Sequence, residues 1–108
     1  IVGMRRAKEL ALLNPVLSAP EALAWGLVNR VVPDAELLDS ALTLARRLAT
    51  GPTAAYGETK RLMLSGATAS LESQMECEAR AIATLAGGRD GREGVAAFLE
   101  KRKPRFEG

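Results

Sequence analysis

Apolar residues recur along this chain with the spacing of α-helices. In residues 34–50 they follow every three or four positions and so share one helix face, at Leu37, Leu38, Ala41, Leu42, Ala45 and Leu48. The same spacing recurs in residues 70–87, at Leu71, Met75, Ala79, Ile82 and Leu85. Near the end of the chain it recurs at Val95, Phe98 and Leu99. The pattern predicts an all-α fold of about six helices.

Capping residues predict where these helices begin and end. Ser18 and Glu21 have the spacing of a capping box, in which each side chain binds the backbone N–H of the other. Asp90 and Glu93 repeat this pattern before the last helix, with Asp90 as the N-cap. The remaining predicted boundaries are Asn14-Pro15, Gly26, Asp34, Gly51-Pro52, Thr53, Gly66, Ser70, Gly87-Gly88 and Pro104.

One segment departs from the helical pattern. Val28–Val32 contains three valines and lies between Gly26 and Pro33, which predicts one short extended strand. A lone strand needs a partner for its backbone N–H and C=O groups, and no second strand is apparent in the sequence. The partner is therefore expected outside this chain.

Composition favours closely packed helices in one domain or one piece of a larger one. Apolar residues make up 47% of the 108 residues but aromatic residues only 4%, so a core must consist mainly of Ala, Leu and Val. The net charge of +2, from 15 basic and 13 acidic residues, is too small to make nucleic acid or an anionic membrane an obligate partner.

The compartment and the chain start also follow from simple features. No apolar stretch approaches the roughly 20 residues that span a bilayer, and no signal peptide is visible. The single cysteine, Cys77, cannot form an internal disulfide, which favours a reducing cytoplasm. Because the chain begins at Ile1 rather than Met, we expect a truncation, proteolysis or a tag that the sequence does not include.

Candidate chemistry within the chain is sparse. The absence of histidine excludes a Ser-His or Cys-His nucleophile pair and a histidine zinc site. Glu72 and Glu76 share a helix face but are interpreted as solvated rather than as an acid–base pair, because no apolar pocket is implied. We predict no catalytic residue, metal site or cofactor in the chain itself.

Two basic segments remain as candidate anion sites. Residues 87–92 loosely resemble a phosphate-binding loop, but they follow a helix and include Asp90, so a plain helix–helix turn is favoured. Residues 101–105, Lys-Arg-Lys-Pro-Arg, form the densest charge run. This run is compatible with a solvated helix end, with a phosphate ligand held by one or two cations, or, more weakly, with nucleic-acid or nuclear-import recognition.

Two long motifs resemble a known family. Residues 18–38, SAPEALAWGLVNRVVPDAELL, resemble the "A-x-E-A-x-x-x-G-L-V-x-x-V-V-P" signature of the enoyl-CoA hydratase/isomerase (crotonase) family. Residues 90–106, DGREGVAAFLEKRKPRF, resemble its "D-x-x-E-G-x-x-A-F-x-E-K-R-x-P-x-F" terminus, and residues 45–60 fit its "L-A-x-x-P-x-A-x-x-x-x-K" run. The resemblance covers the whole chain in order, with one departure at Asn14-Pro15, where many members have Thr-Gly.

The resemblance implies that residues 1–108 are the C-terminal helical, trimerising part of the crotonase fold. The spiral catalytic core, with its oxyanion hole and glutamates, would lie upstream. Lys101 is then expected to bind the adenosine 3′-phosphate of an acyl-CoA substrate in a neighbouring subunit. A homo-oligomer, dimer or trimer, is expected, and the isolated chain should be inactive. The alternative is a non-catalytic helical interaction module or a truncated gene remnant.

Overall fold

The computed structural model describes residues 2–108, and it is helical. The six helices are α1 (Gly3–Leu13), α2 (Ala19–Trp25), α3 (Asp34–Ala49), α4 (Thr53–Ser65), α5 (Leu71–Gly87) and α6 (Arg89–Leu99). The predicted number of helices is therefore confirmed. The chain forms two compact units, one ending at Ser40 and one from Ala41 to Gly108, with the boundary inside α3.

In the first unit, helix ends follow the predicted capping residues. The Ser18 backbone N–H donates to the Glu21 carboxylate at 2.8 Å, and the Glu21 N–H donates to the Ser18 hydroxyl oxygen at 3.4 Å. This reciprocal pair confirms the predicted capping box. The Ser18 hydroxyl and then the Ser18 backbone N–H donate to the Glu21 carboxylate, and these hydrogen bonds hold the pKa of Glu21 below its usual value. The helix ends at Gly26, whose φ of 78° is the left-handed conformation that glycine adopts without steric cost.

The first unit also carries a cation–aromatic contact between its two short helices. The Arg6 guanidinium carbon lies 5.2 Å from the centre of the Trp25 ring, and the guanidinium donates to the Trp25 carbonyl at 3.3 Å. Such a contact stabilises partly exposed pairs by roughly 0.5–1 kcal/mol. It ties the start of the chain to the end of α2.

The strand prediction for Val28–Val32 is wrong. Between α2 and α3 these residues form neither helix nor strand, and no strand occurs anywhere in residues 2–108. The valines have strand-like propensity, but a strand exists only when a neighbouring strand accepts and donates its backbone hydrogen bonds. None of the described residues does so.

In the second unit, α5 packs against both α4 and α6. The junction between α5 and α6 is tight, because a Cβ atom added to Gly91 would collide with the carbonyl oxygen of Leu85. Glycine therefore permits the close approach of the two helices. The most buried apolar side chains in the described part are small, Ala81 and Ala97, consistent with helices that pack through alanine.

Two of the predicted N-caps are wrong in position. Helix α6 begins at Arg89 with Gly88 as its N-cap, so Asp90 lies inside the first turn rather than before it. Asp34 likewise lies inside the first turn of α3. Carboxylates in a first turn still stabilise the positive end of a helix, which explains their presence there. The predicted start at Thr53 and the Ser70 cap, which accepts from the Ser73 N–H at 3.2 Å, are confirmed.

Much of the apolar surface of the helices stays uncovered. Phe98 is 82% exposed, Ile82 66% and Leu37 60%. The other exposed apolar side chains on α3, α5 and α6 include Leu38, Leu48, Leu71, Met75, Val95 and Leu99. These are the residues whose spacing predicted the helices, so the predicted apolar faces are present but unpartnered. Among residues 2–108, no helix combines the length and the apolar character needed to cross a membrane.

A candidate site at the C-terminal end of the last helix

The end of α6 is closed by a Schellman turn built around Lys101. The Lys101 N–H donates to the Phe98 carbonyl at 3.2 Å, and the Arg102 N–H donates to the Ala97 carbonyl at 3.0 Å. With Glu100 as the C-cap, this is the pair of hydrogen bonds that defines the motif. The turn satisfies two carbonyls that would otherwise lack a partner at the helix end.

Lys101 occupies the position where this turn usually has glycine. Its φ is 55°, in the left-handed region, where a side chain costs about 1 kcal/mol or more relative to glycine. Its side chain is exposed, and no hydrogen bond or ion pair joins its ammonium to any other residue within 2–108. A strained lysine with an unpartnered ammonium is a candidate ligand-binding residue.

Replacing this lysine by glycine is expected to stabilise the fold. Lys101→Gly removes the left-handed strain and should raise the free energy of unfolding by up to about 1 kcal/mol, a shift of roughly 4–8 °C in melting temperature for a domain of this size. The matched control is Lys101→Ala, which removes the charge but keeps the Cβ. It should leave the melting temperature unchanged. Thermal unfolding followed by circular dichroism measures both. Equal melting temperatures for the two variants would contradict the strain at Lys101.

Next to this turn, Arg102 is clamped by Glu93. The Arg102 guanidinium donates to both oxygens of the Glu93 carboxylate, at 2.6 and 2.9 Å, and the Arg105 backbone N–H donates to the same carboxylate at 2.7 Å. The Glu93 side chain is only 22% exposed. The hydrogen bonds from Arg102, followed by that from Arg105, lower the pKa of Glu93 to about 2. The pairing also raises the pKa of Arg102.

Farther along, the tail after Pro104 folds back onto the start of α6. The backbone N–H groups of Glu107 and Gly108 donate to the two oxygens of Asp90, at 3.0 and 3.2 Å. The Glu107 carboxylate pairs with Arg89. Asp90 and Glu93, which the sequence suggested as a capping box, therefore hold the tail instead.

The basic run 101–105 is divided by this arrangement. Lys103 and Arg105 line an open cleft of about 1090 Å³, together with Arg89, Arg92, Glu93, Ala96, Arg102, Pro104 and Glu107. Lys101 does not line this cleft. Two of the cleft cations are neutralised, since Arg102 pairs with Glu93 and Arg89 with Glu107. The residues that look equivalent in sequence thus face different surroundings.

The other candidate sites in the sequence have structural roles. Arg92 donates from its guanidinium to the Gly87 carbonyl at 2.8 Å, so residues 87–92 form a helix–helix turn, as favoured above. Glu76 is exposed and pairs with Arg80 on the same helix. Glu72 is also exposed. Within residues 2–108 no group of three His, Cys, Asp or Glu side chains is arranged to hold a metal ion.

Comparison with known proteins identifies the fold. The sequence profile of the enoyl-CoA hydratase/isomerase family matches residues 1–108. The chain belongs to the enoyl-CoA hydratase/isomerase family. The resemblance of the two long motifs is therefore confirmed, and the six helices correspond to a part of the crotonase fold.

Relatives within the enoyl-CoA hydratase/isomerase family carry different reactions. The chain is 47% identical to the 1,2-epoxyphenylacetyl-CoA isomerase of Escherichia coli (strain K12), covering 100% of this chain and 41% of the relative. It is 39% identical to 4-chlorobenzoyl coenzyme A dehalogenase-1 of Arthrobacter sp., covering 94% and 37%. A crystal structure of an enoyl-CoA hydratase/isomerase homologue from Mycobacterium abscessus superposes with a TM-score of 0.93 at 44% identity, covering 99% and 41%. The chain thus spans about two fifths of the length of these family members.

Proposed function

We propose that this chain is the C-terminal helical region of an enoyl-CoA hydratase/isomerase-family enzyme acting on acyl-CoA thioesters. In this proposal it mediates oligomerisation and supplies part of the coenzyme A site. The observation that carries the proposal is the Schellman turn that holds Lys101 just beyond α6, with an ammonium that pairs with no side chain of residues 2–108. We also propose a cytoplasmic location, since the single Cys77 suits a reducing compartment.

Lys101 is proposed to bind the 3′-phosphate of the adenosine of an acyl-CoA in a neighbouring subunit. A lysine ammonium binds phosphate as a compact point charge, and a well-formed charged hydrogen bond stabilises a complex by about 1.5–3 kcal/mol. No carboxylate of residues 2–108 pairs with Lys101, so binding of a phosphate would not break an existing ion pair. The exposed position leaves the ammonium accessible to a ligand that approaches from outside the chain.

The proposed reaction of the whole protein is reversible syn hydration of a 2-enoyl-CoA. Water adds across the conjugated double bond, and negative charge develops on the thioester oxygen in the enolate-like transition state. Preorganised N–H donors stabilise that charge, and this contribution is usually the largest in such reactions. The donors and the proton-transferring glutamates are proposed to belong to the part of the enzyme upstream of these helices.

Oligomerisation is proposed because of the uncovered apolar faces of α3, α5 and α6. Side chains such as Leu37, Ile82 and Phe98 are more than half exposed in the chain by itself. Large exposed apolar patches are uncommon on soluble monomers and are usually covered by association. We propose that the rest of the same polypeptide and neighbouring subunits bury these side chains.

The assignment of Lys101 is tested in the full-length enzyme with Lys101→Glu. Reversing the charge should raise the Michaelis constant for crotonyl-CoA by about tenfold or more and leave the turnover number nearly unchanged. The reason is that the 3′-phosphate lies far from the reacting carbons and is bound equally in the ground and transition states. Steady-state kinetics with varied crotonyl-CoA measures both constants.

The matched control is Lys103→Glu, which makes the same charge change two residues away in the cationic cleft. It should leave the Michaelis constant within about twofold, because only long-range electrostatics would change. If Lys101→Glu lowers only the turnover number, or if Lys103→Glu has the same effect as Lys101→Glu, then Lys101 does not bind the phosphate.

A further inference from the structure

Arg102, the residue that follows Lys101, is held through both its backbone and its side chain. Its backbone N–H donates to the Ala97 carbonyl at 3.0 Å, which closes the turn. Its guanidinium is held by both oxygens of Glu93. The side chain of Glu93, which lies about two turns earlier in α6, thus restrains the turn in addition to the backbone hydrogen bonds.

The side-chain contact to Glu93 lies beside a residue with a strained backbone. Lys101 has a φ of 55°, a conformation that a residue with a Cβ avoids unless its surroundings impose it. Helix ends fray readily, and Phe98, Leu99 and Glu100 at the end of α6 are exposed, whereas Ala97 is buried. The contact between Glu93 and Arg102 adds to the backbone hydrogen bonds that keep Lys101 in this conformation, which sets the direction in which its side chain leaves the backbone.

We propose that Glu93 is a positioning residue for Lys101, acting through Arg102 to hold the backbone turn from which the Lys101 side chain extends. This inference rests on the proposed function of Lys101. Glu93 itself does not contact the ligand. It therefore acts on recognition of the 3′-phosphate and not on the chemistry of the thioester, and it contributes to the preference for 3′-phosphorylated coenzyme A over 3′-dephospho-coenzyme A.

Glu93 carries this role rather than Glu100, the other carboxylate that contacts Arg102. Glu93 binds the guanidinium through two parallel hydrogen bonds and also accepts the Arg105 N–H, so its carboxylate is fixed at three points. Glu100 accepts only from Arg102 Nε and is 61% exposed, against 22% for Glu93. Bidentate pairing adds geometric restraint as well as binding energy. The low pKa of Glu93 keeps its carboxylate ionised at neutral pH.

The test uses the full-length enzyme with crotonyl-CoA and its 3′-dephospho analogue. Glu93→Gln keeps the shape of the side chain and one acceptor oxygen but loses the charge and one of the paired hydrogen bonds. It should raise the Michaelis constant for crotonyl-CoA by about three- to tenfold with an unchanged turnover number. The Michaelis constant for the dephospho analogue should not change, because that ligand lacks the phosphate that Lys101 binds.

Lys101→Ala serves as the reference in the same experiment. It should raise the Michaelis constant for crotonyl-CoA by about tenfold and leave that for the analogue unchanged. Adding Glu93→Gln to Lys101→Ala should cause no further increase, since a positioning residue has nothing left to position. Glu107→Gln, the same substitution in the tail but paired with Arg89 and not with Arg102, should match the unaltered enzyme for both substrates.

The outcomes separate the two proposals. If Lys101→Ala raises the Michaelis constant for crotonyl-CoA but not for the analogue, and Glu93→Gln changes neither, the positioning role of Glu93 is wrong while the function of Lys101 stands. An equal increase for both substrates in Glu93→Gln would indicate a general structural role and overturn the inference. If Lys101→Ala changes the Michaelis constants for both substrates equally, or changes neither, both proposals fail. Should Glu93→Gln not fold, Arg102→Lys, which keeps the charge but lacks the two-pronged donor, takes its place with the same expected result.

Discussion

The 108-residue chain by itself should not hydrate crotonyl-CoA above the uncatalysed rate. General acid–base catalysis needs a group whose pKa lies near the working pH, which for a carboxyl group means a raised value. Two carboxyl groups are shifted the other way: hydrogen bonds from Ser18 lower the pKa of Glu21, and hydrogen bonds from Arg102 lower the pKa of Glu93 to about 2. Both are ionised at neutral pH and cannot donate a proton. The sequence also contains no histidine.

Loss of the ultraviolet absorbance of the conjugated thioester measures this directly. The purified chain should give the same rate as buffer, while the full-length enzyme under the same conditions should give rapid loss. Catalysed loss by the chain alone would place the chemistry within these helices. The assignment of the reacting groups to the rest of the protein would then be wrong.

The isolated chain should also associate in solution. The apolar face of α3 is exposed along its length, with Leu37 60% and Leu48 49% exposed, and α5 exposes Met75 and Ile82 at 60% and 66%. Burial of apolar surface stabilises association by roughly 25 cal/mol per Å² before the entropic cost of assembly is subtracted. Association into a symmetric dimer or trimer covers these faces with copies of the same surface.

Light scattering at micromolar concentration tests the association. Leu48→Lys should shift the mass toward smaller species, since a charge placed on the apolar face must be desolvated on assembly. Thr43→Lys is the matched control, because helical periodicity puts residue 43 on the opposite side of α3. It should leave the mass unchanged. A sharp monomer mass with cooperative unfolding would show that these helices close a core unaided, and the proposed role in oligomerisation would be wrong.

Local features of the fold followed directly from the sequence. The capping box of Ser18 and Glu21, the left-handed Gly26 and the Ser70 cap are each set by interactions within a few residues. Helical periodicity likewise predicted which faces are apolar. The family was also readable, because its motifs are contiguous and cover the whole chain. Each of these properties depends on residues that are close together along the chain, so pattern alone predicts them.

The errors arose where distant residues compete for the same groups. Val28–Val32 has the composition of a strand but no ladder partner within residues 2–108. Asp90 and Glu93 have the spacing of a capping box, yet their carboxylates bind the tail instead, at Gly108 and Arg102 among others. A carboxylate accepts from whichever donor tertiary packing brings to it, and the sequence does not state which donor that is.

The sequence by itself determined six helices, their apolar faces and the family, and the family resemblance suggested Lys101 as the candidate phosphate ligand. Only the tertiary structure decided how the basic run is divided, with Arg102 pinned to Glu93, Lys103 and Arg105 in the cleft and Lys101 outside it. The physical reason is the Schellman turn. It reverses the chain within two residues, so side chains adjacent in sequence point to different surroundings.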